Sequence, residues 1–445
     1  TEDTLFNEDG TVFLALAEGA KGQLQDATAG NGKAVSVGND AVEITGEGSG
    51  NYSVTVSLPN LTVDITPRPV TLQFPNGNSS MTTSYDPNGL TSKPNVYKVS
   101  AVAPAEGTGF VSSDALADGD IQYTFKQDNK DVENPINVGE YTVTAELTDE
   151  AAKKWSNYTI EAITGTVKII QATEELTVTV TGKTGLTYTG QGQDPIQSIS
   201  VQGGSETLKE NEGYTVKFRL TDSGEYALDR NALTAAVKDA KEYTVYWQVT
   251  TTNYGNKTDS FTVKVAPATL TLSSSLTKEK EYDGTTAAVV TEQKVTGAQS
   301  GENITVSSVS AAYNDANEGT DKTITTTYKV TFDVGVTPGN YTIGNSGAQT
   351  THNDDGTWTV TTTDTGSISA KSITVTIADK NKIYDGKTPS VTSDKGTDWT
   401  VDAGALCSQN GTVDELRVVL SVESDGNSAV GTYAIIGEAD NKTTT

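Results

Sequence analysis

A chain of 445 residues exceeds what one β core can organise, so three to five separately packed units are expected. With 31 Lys and Arg against 58 Asp and Glu, the net charge of −27 repels phosphates and anionic headgroups, which excludes nucleic acid as a partner. A single histidine, His352, and a single cysteine, Cys407, exclude an internal disulfide and a zinc site and leave nucleophile-and-base catalysis without material. No apolar run approaches the ~20 residues that span a bilayer, so no membrane insertion is expected. No enzyme is expected either: carboxylates are plentiful but scattered over repeating strands and turns.

The first strand-like stretch is Gly10 to Leu16, with Val12, Leu14 and Leu16 on one face and Thr11, Phe13 and Ala15 on the other. Asn51-Tyr52 is the first of four Asn-Tyr pairs; the others are Asn157-Tyr158, Asn253-Tyr254 and Asn340-Tyr341. A Tyr-x-Gly turn recurs with them: Tyr188-Thr189-Gly190, Tyr282-Asp283-Gly284 and Tyr384-Asp385-Gly386, with Tyr85-Asp86-Pro87-Asn88-Gly89 as a looser form. These tyrosines are 103, 94 and 102 residues apart, one small β domain per period. A third mark, Asn137-Val138-Gly139-Glu140-Tyr141 and Val430-Gly431-Thr432-Tyr433, precedes a strand in each case. Asp239-Ala240-Lys241-Glu242-Tyr243 stands where Asn-Val-Gly is due, so a different turn is expected there. Gly supplies a positive φ, Asp or Asn bonds the adjacent backbone, and Tyr packs its ring while its hydroxyl finds a partner at the rim.

Between these marks, Tyr141 to Leu147, Phe261 to Val265 and Ser372 to Ile377 alternate apolar and polar residues, the pattern of sheets with one dry face. Helix is limited to a turn or two at 149–155 and a short stretch at 228–240. Short linkers at 65–69, 170–172, 265–268 and 368–371 lack Gly/Ser runs and should hold neighbours stiffly. The expected fold is all-β: tandem Ig-like β-sandwich domains, or alternatively a β-grasp-like arrangement, set as an extended rod. Its segments are an N-terminal extension 1–18, a partial repeat 19–66, and repeats 67–170, 171–267, 268–370 and 371–445.

The Tyr-Asp-Gly-(Thr or Lys)-Thr turns at 282–286 and 384–388, with Asn-Val-Gly-x-Tyr at 137–141 and the Asn-Tyr strands, resemble the YDG and MBG type repeats of large bacterial surface adhesins. The match runs from about Ala34 onward. The resemblance implies secreted, surface-displayed spacers that carry a binding head away from a cell, with no catalytic residues to transfer.

Both ends break the period. Tyr-x-Gly leads Asn-Tyr by 73, 66 and 59 residues in successive repeats, so the repeat at 371–445 stops short of its closing strand. Gly10-Thr11-Val12-Phe13-Leu14-Ala15-Leu16 in turn resembles the closing strand Gly165-Thr166-Val167-Lys168-Ile169-Ile170. One expectation is that Val12, Leu14 and Leu16 insert into the open repeat of another copy, giving a head-to-tail homopolymer; the other is that residues 11–16 pair inside their own fragment. Besides itself, the expected partners are glycans or proteins of a host or cell surface. A carbohydrate-binding protein is the alternative, since Trp155, Trp247, Trp358 and Trp399 would stack on sugars if exposed; core packing is favoured because they share no repeat position. No cofactor is expected. Calcium has weak support from the oxygen-rich turns Asn7-Glu8-Asp9-Gly10 and Asn353-Asp354-Asp355-Gly356, which lack EF-hand spacing. His352 is expected in a solvated loop and Cys407 as a small buried apolar residue.

Overall fold

The computed structural model describes residues 12–57, 60–388, 390–423 and 431–439. Thr11 and the Asn7–Gly10 turn lie outside them, as does Val430. The chain divides into two compact units: one takes residues up to 179 with 200–216 and 248–258, the other 180–199, 217–247 and the residues from 259.

In the first unit, Val12–Leu16 pairs antiparallel with Val42–Gly46 in a two-stranded ribbon, Val12 opposite Gly46 and Leu16 opposite Val42. Repeat 67–170 is built on a five-stranded sheet in the order Lys130–Val132, Ile121–Gln127, Gly139–Leu147, Ile163–Ile170, Ser80–Ser84. Its alternation is that of a half-buried sheet: Tyr141, Val143 and Ala145 point inward, with Val167 and Ile169 from the next strand. They meet Leu72 and Phe74 from the opposite layer, where Leu72–Gln73 pairs with Ser100–Ala101, in one core. Gly165 lets the layers close, because a Cβ there would lie 2.7 Å from the Ser79 carbonyl oxygen and 2.8 Å from the Phe74 ring. The expected helical turn is Asp149–Lys154, its first turn capped by the Thr148 hydroxyl, which accepts from the Ala151 N–H at 3.2 Å.

Leu186–Thr187, Lys257–Ala266, Glu242–Thr250 and Thr215–Arg219 form a four-stranded sheet whose residues fall mainly in the second unit, and Arg230–Ala236, wholly in that unit, is the short helix, capped by Asp229. Repeat 268–370 is a clear two-layer sandwich. Its large sheet runs Glu279–Glu281, Trp358–Ser369, Gly319–Phe332, Ile304–Tyr313, Ala287–Ala288, and Val290–Thr296, Ala268–Leu276 and Tyr341–Ile343 make the other. Ile324 and Ile368 from the first pack with Leu276 and Val290 from the second. Repeat 371–445 holds the pairs Val375–Ile377 with Trp399–Val401 and Val418–Val422 with Ile435–Ala439 around Trp399 and Leu420.

Two features make these repeats Ig-like, the first of the two expected arrangements. Tyr141 and Tyr243 each open a central strand and turn the hydroxyl back to the carbonyl four residues upstream, to Asn137 at 2.9 Å and Asp239 at 3.0 Å, which is the tyrosine corner of such sandwiches. Closing strands lie parallel to the segment before each Tyr turn: Ser84 opposite Ile170, Thr187 beside Ala266, Glu281 opposite Ser369.

Candidate functional site: the joint between repeats

The sequence marks converge where one repeat meets the next. In repeat 67–170 the Tyr85 N–H donates to the Ile170 carbonyl at 2.8 Å, which pins the turn to the end of the closing strand. The Tyr85 ring then leaves its own repeat to meet Tyr254 edge-on at 5.3 Å, and its hydroxyl donates to Glu206 at 3.4 Å. Asn253, beside Tyr254, reaches back: its Oδ1 accepts from the Val138 N–H at 2.9 Å and its Nδ2 donates to Asn137 Oδ1 at 3.0 Å. Its own carbonyl accepts from the Ala172 N–H at 2.9 Å, so the linker is tied to the same asparagine.

The second joint repeats the first with different residues. Tyr188 donates its N–H to Ala266 at 2.8 Å and meets Tyr341 edge-on at 5.5 Å. The hydroxyls of Tyr188 and Tyr341 both donate to the Glu302 carboxylate, one to each oxygen. Asn340, only 2% exposed, accepts from the Ala240 N–H at 2.7 Å and donates to Asp239 Oδ1 at 3.0 Å. The turn at 239–243, expected to differ, is therefore built like that at 137–141, because an aspartate oxygen accepts as well as an asparagine oxygen. The third joint keeps the tyrosine and the acid. Tyr282 donates its N–H to Ser369 at 2.9 Å and its hydroxyl to Asp414 Oδ2 at 2.7 Å. Gly284 has φ +77° and a Cβ on it would lie 2.4 Å from the Ser408 carbonyl oxygen, so the glycine of the motif serves contact as well as turn. The asparagine appears once more at the first boundary, where Asn157 Oδ1 accepts from the Ala29 N–H at 2.8 Å and its carbonyl from Arg68 at 3.0 Å.

Burial and the carboxylates hold these phenols protonated. Burial, then Glu302, pushes Tyr188 up to about 12; the bond to Asp414, then burial, takes Tyr282 to about 12; burial beside Tyr85 and Glu206 does so for Tyr254.

Tyr188, Gly190, Tyr282, Asp283 and Gly284 thus sit in or beside joints. Asp283 stays within its turn, its Oδ1 accepting from the Thr285 N–H and from Lys280 at 2.8 Å. Tyr384, Asp385 and Gly386 form the same turn, with Asp385 accepting from the Lys387 N–H at 3.0 Å and Gly386 at φ +76°. Tyr384 is 65% exposed and Ile383 92%. Among the candidate donor residues Phe13, Leu14 and Leu16 are 58%, 61% and 78% exposed; Ala15 is exposed and Val12 half-buried. Glu206, Glu302 and Asp414 were not singled out from sequence, because each stands alone with no recurring neighbours.

The four tryptophans are buried, so none presents an open ring face, and core packing is what they do. His352 is not in a loop: it ends the strand Gln349–His352, exposed, and stacks on Trp358 at 4.7 Å. Cys407 is half-exposed and not a core residue, its Sγ 3.5 Å from the Tyr282 carbonyl oxygen at the third joint. Asn353–Gly356 is a hairpin turn in which Asp355 bonds Thr357. Among the described residues no three His, Cys, Asp or Glu side chains cluster as metal ligands, and no helix is long and apolar enough to cross a membrane.

The YDG domain family model matches residues 266–351, which makes that stretch a YDG-type domain. No curated protein matches the chain. Solved structures similar to it include the three N-terminal domains of the bacteriophage RB49 highly immunogenic outer capsid protein, 12% identical, covering 68% of this chain and 99% of that one at a TM-score of 0.19. Mouse cadherin-23 EC22–24 has the same identity, coverages and TM-score; Drosophila N-cadherin EC1–4 is 10% identical over 83% and 94% at 0.20. At such superposition these likenesses carry no detail, and the fold stands on the sheets and tyrosine corners above.

Proposed function

We propose that the chain is a non-enzymatic structural protein of an extracellular surface, the shaft of a cell-surface adhesin of the YDG-repeat kind. The observation that carries this reading is the joint, used three times with tyrosine, carboxylate and turn in the same roles. A joint that fixes neighbours with a tyrosine and an acid, and in two of three cases with an asparagine and a second tyrosine as well, serves a protein whose task is to hold separation and direction. The test is small-angle scattering of the chain beside the Asn253→Ala, Asn340→Ala double variant. A broadened distribution of distances within the particle, with unchanged core melting, supports the reading; identical scattering from both overturns it.

A second reading, a fibre subunit assembled by strand donation, is favoured by Phe13, Leu14 and Leu16 standing exposed on a two-stranded ribbon. Electron microscopy of the chain beside one lacking residues 1–18 tests it: fibres that vanish on truncation support it, and fibres that persist remove it.

A further inference from the structure

Each Tyr-x-Gly turn receives a nitrogen donor from outside the motif, and the charge of that donor follows the charge of the turn. In repeat 268–370 the donor is Lys280, two residues before Tyr282. Its Nζ lies 2.8 Å from Asp283 Oδ1, 2.7 Å from the Thr285 carbonyl oxygen, 3.2 Å from Thr285 Oγ1 and 3.1 Å from the Ala287 carbonyl oxygen. In repeat 371–445 Lys382 stands at the same position before Tyr384, its Nζ 3.1 Å from Asp385 Oδ1. Repeat 67–170 has Thr83 there, and the ammonium comes from a later point in the chain: Lys93 Nζ donates to the Ser84 carbonyl at 3.0 Å and lies 3.5 Å from Asp86 Oδ2. In repeat 171–267 Thr189 takes the place of the aspartate. The carbonyl before that tyrosine, on Thr187, receives the neutral amide of Gln193 at 3.0 Å.

The arrangement at 280–287 differs from a surface ion pair. An ammonium carries three N–H groups, whereas four oxygens stand within 3.2 Å of this one, as they would around a spherical cation. The Lys280 side chain is only 15% exposed, and its Nζ lies over the Tyr313 ring at 5.5 Å. One carboxylate, two carbonyls and one hydroxyl sum to a single negative charge, which matches a monovalent cation and leaves a divalent one undercompensated. The turn holds these oxygens itself, since Asp283 Oδ1 also accepts from the Thr285 N–H and hydroxyl at 2.8 and 2.9 Å. Tyr282, whose hydroxyl reaches Asp414, lies between Lys280 and Asp283 in the chain, so a contact that ties those two together fixes the direction of the joint tyrosine.

We infer that the Tyr-Asp-Gly turn of repeat 268–370 is a monovalent-cation site that the chain fills with its own Lys280 ammonium, and that this occupancy sets the aim of the joint tyrosine. The inference deepens the shaft reading and rests on it for the role of the joint. Lysines reach aspartate turns from two different chain positions, and a neutral amide serves the turn that has no aspartate. A requirement for a matching charge at this place produces that pattern, whereas a chance surface pair has no reason to follow the acid. A tethered cation is neither diluted nor chelated, so the third joint keeps its geometry whatever ions surround it.

The test empties the site in the full chain with Lys280→Ala and offers back the part removed as propylammonium chloride, with n-propanol as the neutral counterpart. Amide hydrogen exchange of the peptide spanning 281–288 is the readout. It contains the Tyr282 N–H, bonded to Ser369, and the Thr285 N–H, bonded to Asp283. Exchange there is expected to be about tenfold faster in Lys280→Ala, the effect of losing hydrogen bonds from a charged donor. Propylammonium is expected to slow it saturably towards the rate of the unaltered chain, and propanol to leave it unchanged. Lys280→Met keeps the aliphatic stem over Tyr313 and is expected to exchange as fast as Lys280→Ala, which separates charge from packing. Unchanged exchange in Lys280→Ala, full protection in Lys280→Met, or a response to propanol equal to that to propylammonium overturns the proposal, as does no response to either compound. Such a failure leaves the shaft reading standing, because the scattering experiment turns on Asn253 and Asn340 and not on Lys280.

Discussion

Two glycines in the same motif, with nearly the same backbone, isolate what a joint asks of a residue. Gly284 has φ +77° and Gly386 φ +76°, but a Cβ on the first runs into the Ser408 carbonyl oxygen while a Cβ on the second meets nothing within 4 Å. Alanine at either position carries the left-handed penalty of about 1–2 kcal/mol. Gly284→Ala should cost clearly more than Gly386→Ala in urea denaturation, and equal losses would show that the Ser408 contact is unimportant. Asn340→Ala leaves the half-buried Ala240 N–H without the buried side-chain oxygen that accepts from it, so a loss of about 1–3 kcal/mol is expected in the same measurement. Asp398 gives a pH handle: Lys380 at 2.6 Å, the Thr392 hydroxyl and the Asp394 N–H take its carboxyl down to about 2. A depressed pKa stabilises the folded state above the unfolded value near 4 and loses that stabilisation as pH falls towards 2. Acid unfolding of repeat 371–445, followed by the fluorescence of buried Trp399, should thus have a step in that window that Asp398→Asn removes.

At the level of strands and turns, much of the architecture was legible and its purpose was not. Alternation in Tyr141 to Leu147 gave the inward set correctly. That Asn253 belongs with Val138 of the preceding repeat was invisible, because 115 residues separate them and no local pattern joins them. The acids Glu206, Glu302 and Asp414 carry no local mark for the same reason, being three of 58 Asp and Glu. The turn at 239–243 misled in the opposite direction: its letters differ from Asn-Val-Gly, yet Asp239 supplies the same oxygen. Gly203 shows how an element can depend on one missing methyl. Its carbonyl accepts from the Tyr254 hydroxyl at 3.1 Å and a Cβ there would lie 2.2 Å from that ring. Gly203→Ala should displace Tyr254, cost about 1–3 kcal/mol, and weaken the edge-on contact with Tyr85, measurable as a sharper tyrosine ring-flip signal by NMR.

Across the whole chain the joints share one titration. Tyr188, Tyr254 and Tyr282 are raised to about 12 against an ordinary value near 10, so the folded state holds their protons more tightly. Their contribution is complete below pH 10 and is lost as pH climbs from 10 to 12, since a phenolate cannot donate to Glu302 or Asp414. Ultraviolet titration should find a group of phenols ionising late, together with a loss of the joint contacts; ordinary titration of all 18 tyrosines near pH 10 would contradict it. The pairing of each closing strand with the segment before the Tyr turn has another consequence. Because these two strands run parallel, tension pulling the entry of a repeat against its exit slides the ladder along its length. All of its hydrogen bonds are then strained together, as in Ser80–Ser84 against Ile163–Ile170, and none can be peeled open first. Such a shear clamp yields at far higher force than an unzipped hairpin of the same equilibrium stability, so resistance to stretching is set by strand direction and not by core size.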